Sequence, residues 1–171
     1  RRFFMKDGTV KTNPGKGNPN VLKPTGPIDP DFPIMRIDEV NGRPIGFVST
    51  YACHADTVGG TEYSGDFPGA LSKKLKEAYG DHVVSLFYQG TSGNINHIDV
   101  CGETPLDKAT HYEKMGEILA KEAVKVRENI NTVDALSIRS KMALVPILLR
   151  KPTETEVMAA KRVLKTKDKY S

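Results

Sequence analysis

The chain has 171 residues, enough for one domain with a real core. Hydrophobic residues at 38% and charged residues at 27% argue against disorder, and no apolar run approaches the roughly 20 residues a spanning helix needs. The net charge of +4 and the pI of about 9.0 owe much to the last stretch, where Arg150, Lys151, Lys161, Arg162, Lys165, Lys167 and Lys169 gather. Such a basic run could meet an anionic surface, but its commoner use is a solvated helix face, and no nucleic-acid partner is expected. Cys53 and Cys101 have neither metal-ligand spacing nor the density of a disulfide scaffold, so the redox compartment is left undecided. The chain opens on Arg1-Arg2-Phe3-Phe4 with no initiating Met, and it is expected to be a piece of a longer protein.

Residues 1–33 are punctuated by Asn13-Pro14-Gly15, Asn18-Pro19, Pro24, Gly26-Pro27, Asp29-Pro30 and Phe32-Pro33. Proline fixes φ and keeps its predecessor out of the helical region, so this segment is expected to be extended, turning chain with little regular structure. Residues 34–40 read as a strand, Asn41-Gly42 as a hairpin turn, and Ile45 to Ala52 as the return strand, buried on both faces. A helix is predicted over 67–79, with Asp66 as N-cap, Phe67, Leu71, Leu75 and Ala78 as its apolar stripe, and Gly80 as its stop. His82 to Tyr88 then reads as a buried strand of β-branched and aromatic residues.

After a polar loop, Thr104-Pro105 leads into a long helix predicted over about 108–128, with a stripe of Tyr112, Met115, Leu119, Ala123 and Val126. Residues 135–145 alternate like a half-exposed strand, with Pro146 pointing to an edge or bulge. Thr153 to Glu156 fits a capping box that opens a last amphipathic helix running to about Leu164. The order β-β-α-β-α-β-α predicts an α/β (or α+β) fold with a mixed β-sheet and flanking helices, forming one domain or part of one over 1–171. Its parts would be the extended segment 1–33, a core over 34–150, and a basic helix and tail over 151–171.

Two polar loops at strand ends are where an α/β protein presents chemistry. The first, after Cys53, offers His54, Asp56, Thr57, Glu62, Tyr63, Ser64 and Asp66. A histidine at a strand end beside carboxylates suits a zinc ligand or a general base, and equally a structural histidine with its bonds satisfied. The second loop offers Gln89, Gly90, Thr91, Ser92, Asn94, Asn96, His97 and Asp99. Its amides and glycines suit the binding of a developing oxyanion, and equally a tight turn. His97 and Asp99 form a His-x-Asp pair open to a metal or to surface hydrogen bonding, and His111 lies on the long helix. A catalytic triad would need Ser92 near His54 and a carboxylate. No P-loop, dinucleotide fingerprint, zinc ribbon or His-Glu-x-x-His occurs.

The ordered blocks Arg-Arg-Phe-Phe-Met-Lys-Asp-Gly-Thr-Val, Asn-Pro-Gly, Gly-Pro-Ile-Asp-Pro, Ala-Cys-His-Ala-Asp-Thr-Val-Gly-Gly, Ser-Gly-Asp-Phe-Pro-Gly and Gln-Gly-Thr-Ser-Gly-Asn-Ile-Asn-His resemble the neutral/alkaline (non-lysosomal) ceramidase family. More closely, they resemble its bacterial ceramidase-like members of unassigned substrate, over roughly residues 1–100. The resemblance implies a zinc amidohydrolase of sphingolipid metabolism that cleaves an N-acyl bond of a lipid-like or other small substrate. It implies His54 as a zinc ligand, the Ser64-Gly65-Asp66 block at the border of the site, and Gln89, Gly90 and Asn94 in a substrate-binding or oxyanion wall. It also implies a periplasmic or secreted protein, with peripheral membrane contact and the rest of the full-length protein as further partners.

The sequence departs from the family in two ways. The family's upstream histidine ligand and its later glutamate and tyrosine ligands have no counterpart, so the zinc site is expected to be incomplete in this chain. Gly90 stands where true ceramidases carry their serine nucleophile, leaving Thr91 and Ser92 as neighbouring candidates. A metal-bound water, a shifted nucleophile, a different activity, a serine or cysteine hydrolase without metal, and a non-catalytic ligand- or lipid-binding domain on the same scaffold are the alternatives this leaves.

Overall fold

A computed structural model of the chain describes residues 1–102, 107 and 109–167. They fall into two units, Arg1–Asp134 and a second that begins at Ala135. In the first unit the chain starts as a small sheet where little regular structure is expected. β1 (Arg2–Met5) pairs antiparallel with both β2 (Val10–Thr12) and β3 (Val21–Pro24). The reason is local. Asp7-Gly8 makes the turn, with Gly8 at φ 81° and the Asp7 carboxylate accepting from the Thr9 N–H at 3.0 Å and hydroxyl at 2.6 Å. Phe3 and Met5 then alternate inward onto Val100, which ties the sheet to the second loop.

β4 (Ile34–Asp38) and β5 (Pro44–Tyr51) form the predicted hairpin, with Gly42 at φ 86° in its turn. α1 (Asp66–Tyr79) crosses back so that β6 (Val84–Gln89) lies parallel to β5, and the sheet order is β4-β5-β6. This is the predicted mixed α/β arrangement. His82 lies outside β6, in a turn, with Nε2 3.2 Å from the Pro44 carbonyl. Gly46 lies where the strands come closest, since a Cβ there would sit 2.6 Å from the Val84 carbonyl oxygen. α2 (His111–Glu128) packs on α1, and Gly116 permits the approach: a Cβ would come within 2.7 Å of the Leu71 nitrogen. The predicted helix start at 108 and the Thr104-Pro105 lead-in lie outside the described residues.

The core is one face of this sheet plus the two helices: Phe47, Phe67, Leu71, Leu75, Val83, Leu119, Ala120 and Ala123. Phe67 stands edge-on to Phe87 with ring centroids 5.5 Å apart. Full burial, expected on both faces of β5 and along β6, does not occur: β6 is an edge strand and Ile45 of β5 is exposed. The helices cover one face, and Met35, Ile37, Val84, Leu86 and Tyr88 stay exposed. At the far end Arg127 is buried over Phe47 and Tyr79, 5.3 and 5.1 Å from their centroids, and donates to Asp38 at 2.6 Å. Burial pushes the Asp38 carboxyl up, but bonds from Arg127 and Arg36 outweigh it and hold the group below its ordinary range.

The second unit contains α3 (Glu154–Lys167). The capping box forms as predicted: the Thr153 N–H donates to Glu156 Oε2 at 2.8 Å, and the Glu156 N–H to Thr153 Oγ1 at 3.3 Å. The strand predicted over 135–145 does not form. Leu136, Ile138, Met142 and Leu144 alternate in sequence but are 66–94% exposed, and no strand among the described residues pairs with this stretch. The tail from residue 168, Lys169 included, lies outside the described residues.

Candidate functional site

β5 and β6 end side by side, Tyr51 opposite Gln89, so their two following loops leave the same edge of the sheet. The Gly90 N–H donates to the Tyr51 carbonyl at 3.0 Å and holds the loop bases together. That contact is tight. A Cβ on Gly90 would lie 3.2 Å from the Cα, Cβ and N of Ala52, so a serine here would have to displace the neighbouring strand end.

The first loop is organised by Asp66. Its buried carboxylate accepts from the Thr57 and Val58 N–H groups at 2.8 and 2.9 Å, and from the Thr57 hydroxyl and Phe67 N–H at 2.7 Å each. Burial raises its pKa, but the four donors outweigh that and hold it below the ordinary carboxylate range. The N-cap expected of Asp66 belongs formally to Gly65. Asp66 is the first helical residue, at φ 49°, a left-handed conformation that aspartate tolerates better than most residues. Its carboxylate therefore binds the loop preceding the helix as well as the helix's own first N–H.

His54, ahead of that loop, is exposed, and so is Asp56. Cys53 beside it is buried, and burial pushes its thiol up to about 11, so it is no thiolate at neutral pH. In the second loop Gln89 Nε2 donates to the Ser92 hydroxyl at 2.7 Å, and Ser92 is buried. Asn94 Nδ2 donates to the Pro27 carbonyl, fastening the N-terminal segment to this loop. Asp99 turns onto its own loop, accepting from the Cys101 and Gly102 N–H groups at 3.1 and 2.9 Å. Thr91 is exposed.

The predicted site residues thus share one edge of the sheet but divide in state. His54 and Thr91 are exposed, whereas Asp66, Gln89, Ser92 and Asn94 hold internal hydrogen bonds and Gly90 holds a packing contact. Ser92 has Gln89 rather than a base as its partner. Cavities of about 430 and 400 Å³ open beside this edge, one along the 58–64 loop and Tyr112 and one along Asp66, Lys73 and Glu117. Neither is lined by His54, Thr91 or Ser92.

One grouping has no counterpart in the sequence pattern. His97 turns from the second loop toward Asp56 and His111: its Nε2 lies 3.7 Å from Asp56 Oδ1, and its ring centroid 5.1 Å from that of His111. These residues are far apart in sequence, and only the adjacency of the two loops and α2 brings them together. Among the described residues, no three histidine, cysteine, aspartate or glutamate side chains converge as a metal site would require.

No family model matches the chain and no curated protein does. Among solved structures, the neutral ceramidase from Pseudomonas aeruginosa matches with a TM-score of 0.50 at 21% identity, over 57% of this chain and 17% of that one. A ceramidase complexed with C2 matches with a TM-score of 0.49 at 20% identity, over 57% of this chain and 16% of that one. At that identity the first of these likenesses is one of fold. The chain spans about a sixth of the length of these ceramidases.

Proposed function

We propose that this chain contributes to a hydrolase that cleaves an amide or N-acyl bond of a lipid-like or other small substrate. The observation that supports it is the convergence of the two polar loops at the carboxyl ends of the parallel strands β5 and β6, with His54 and Thr91 exposed there. A neutral ceramidase shares a similar fold over 57% of the chain. In this reading Asp66, Gln89 and Asn94 act indirectly. Their internal hydrogen bonds hold the loop backbones in place, so that donors and His54 face the substrate without reorganising. In the second loop Thr91, rather than the buried Ser92, carries a hydroxyl open to a substrate.

Zinc with His54 as a ligand is part of the proposal, and when bound it would polarise the acyl carbonyl. The donor set does not by itself fit the ion. His54 is a single exposed imidazole, Asp66 is saturated by donors, and the Cys53 thiol is held protonated. A second reading, a non-catalytic ligand- or lipid-binding domain, is favoured by one contact: Ala52 packs against Gly90 where a serine nucleophile would otherwise stand.

One experiment separates the two. Zinc content and hydrolysis of a short-chain N-acyl sphingoid substrate are measured on the protein purified from its natural source, beside His54→Ala. The hydrolase reading expects both to fall at least about 10-fold in the variant. Hydrolysis and zinc content unchanged by His54→Ala would overturn it. Substrate binding without turnover in either protein would select the binding domain.

A further inference from the structure

We propose that His97, packed ring against ring with His111, forms a buried proton-binding site that clasps the second loop onto the start of α2 while His97 is neutral and releases it when His97 takes up a proton.

The geometry is specific. The His97 side chain is 8% exposed, and its Nδ1 is buried with no hydrogen-bond partner. His111, the first residue of α2, presents a buried Nε2 that likewise has none, with the two rings tilted by 43° at 5.1 Å. A neutral imidazole tolerates one bare acceptor nitrogen, whereas an imidazolium carries an N–H on each nitrogen and needs two acceptors. Among the described residues, Asp56 is the carboxylate paired with His97, at 3.7 Å from Nε2, too long for a hydrogen bond. A proton added to His97 therefore leaves a charged N–H on Nδ1 buried and unpaired against a second imidazole, a state relieved by swinging the ring out into water.

Among the described residues the groups facing His97 are Asp56 from the first loop, Asp66 from the start of α1 and His111 from α2. Burial dominates among them and lowers the His97 pKa. Asp56 and Asp66 oppose it, and His111 adds to it. A histidine whose folded pKa is depressed contributes stability in full above its ordinary value of 6.5 and loses it as pH falls through the folded value. Asp38 and Asp66, held below the ordinary carboxylate range, stay ionised across that window and do not compete.

The consequence is a local, acid-triggered opening of the loop that carries Gln89 to Asn94, without unfolding of the helices beneath it. The test is amide hydrogen exchange on the full chain at about pH 7 and about pH 5.5, corrected for the intrinsic pH dependence of exchange. Protection of residues 95–98 and of the first turn of α2 should drop at least about 10-fold at the lower pH, while α1 keeps its protection. The double variant His97→Gln/His111→Gln should show no such drop. Equal protection at both pH values in the parent, tightening at the lower pH, or a drop that persists in the double variant would each overturn the proposal. Should the double variant not fold, the imidazole resonances of the parent decide. His97 titrating below its ordinary value, in step with the loss of protection, supports the clasp; titration at the ordinary value, or without that loss, overturns it.

Discussion

α2 and α3 are both amphipathic helices with apolar residues at steps of three and four, yet only one is built into a core. α2 buries Gly116, Leu119, Ala120, Ala123 and Arg127 against α1 and the sheet. Every described side chain of α3 is exposed, Val157, Met158, Val163 and Leu164 among them. The contrast extends to the extended stretches before them. β5 is pinned between two partner strands, whereas 135–145 alternates in sequence and pairs with no strand among the described residues. An amphipathic pattern states which face wants burial. Whether burial happens depends on a second surface.

Mutation can sharpen that difference. Phe67, on α1, is fully buried, so Phe67→Ala should cost about 3–5 kcal/mol in denaturant unfolding of the first unit, with the cavity left beside Phe87 as the cause. A loss below about 1 kcal/mol would mean the core is not packed as described. Asp66→Ala should cost about 1–3 kcal/mol by stranding the Thr57 and Phe67 donors. It should also flatten the acid limb of the stability curve. The depressed Asp66 pKa contributes stability in full above the ordinary carboxylate value of 3.8 and loses it as pH falls through the folded value. An acid limb of unchanged slope in the variant would show that the contribution comes from elsewhere. The smallest effect belongs to the second unit. Leu148, 97% exposed, should tolerate Leu148→Ala within about 0.5 kcal/mol, and a loss as large as that of Phe67→Ala would show that this stretch is buried after all.

Much of the first unit was legible in its residues. Asn41-Gly42 announced the hairpin, the stripe from Phe67 to Leu75 announced α1, and Tyr112 to Val126 announced α2. The opening sheet is hidden in the pattern because dense proline and glycine mask Asp7-Gly8, itself a hairpin signal, and the alternation of Phe3 and Met5. At the candidate site, pattern identified the two loops but not the state of their side chains. That Ser92 is buried against Gln89 and Asp66 is consumed by its own loop depends on contacts across the chain, which spacing does not encode.

What the sequence determined by itself is the local chemistry: turns, caps and helices, each satisfied by hydrogen bonds within a few residues. α3 forms with no core to rest on because a helix closes its own ladder and Thr153 and Glu156 cap it. The tertiary structure decided everything that needs a distant partner. It left 135–145 without a strand, covered only one face of the central sheet, pressed Gly90 onto Ala52, and brought His97, Asp56 and His111 together. A strand, a packed face and a buried titratable pair each require a second surface, and only the folded chain supplies one.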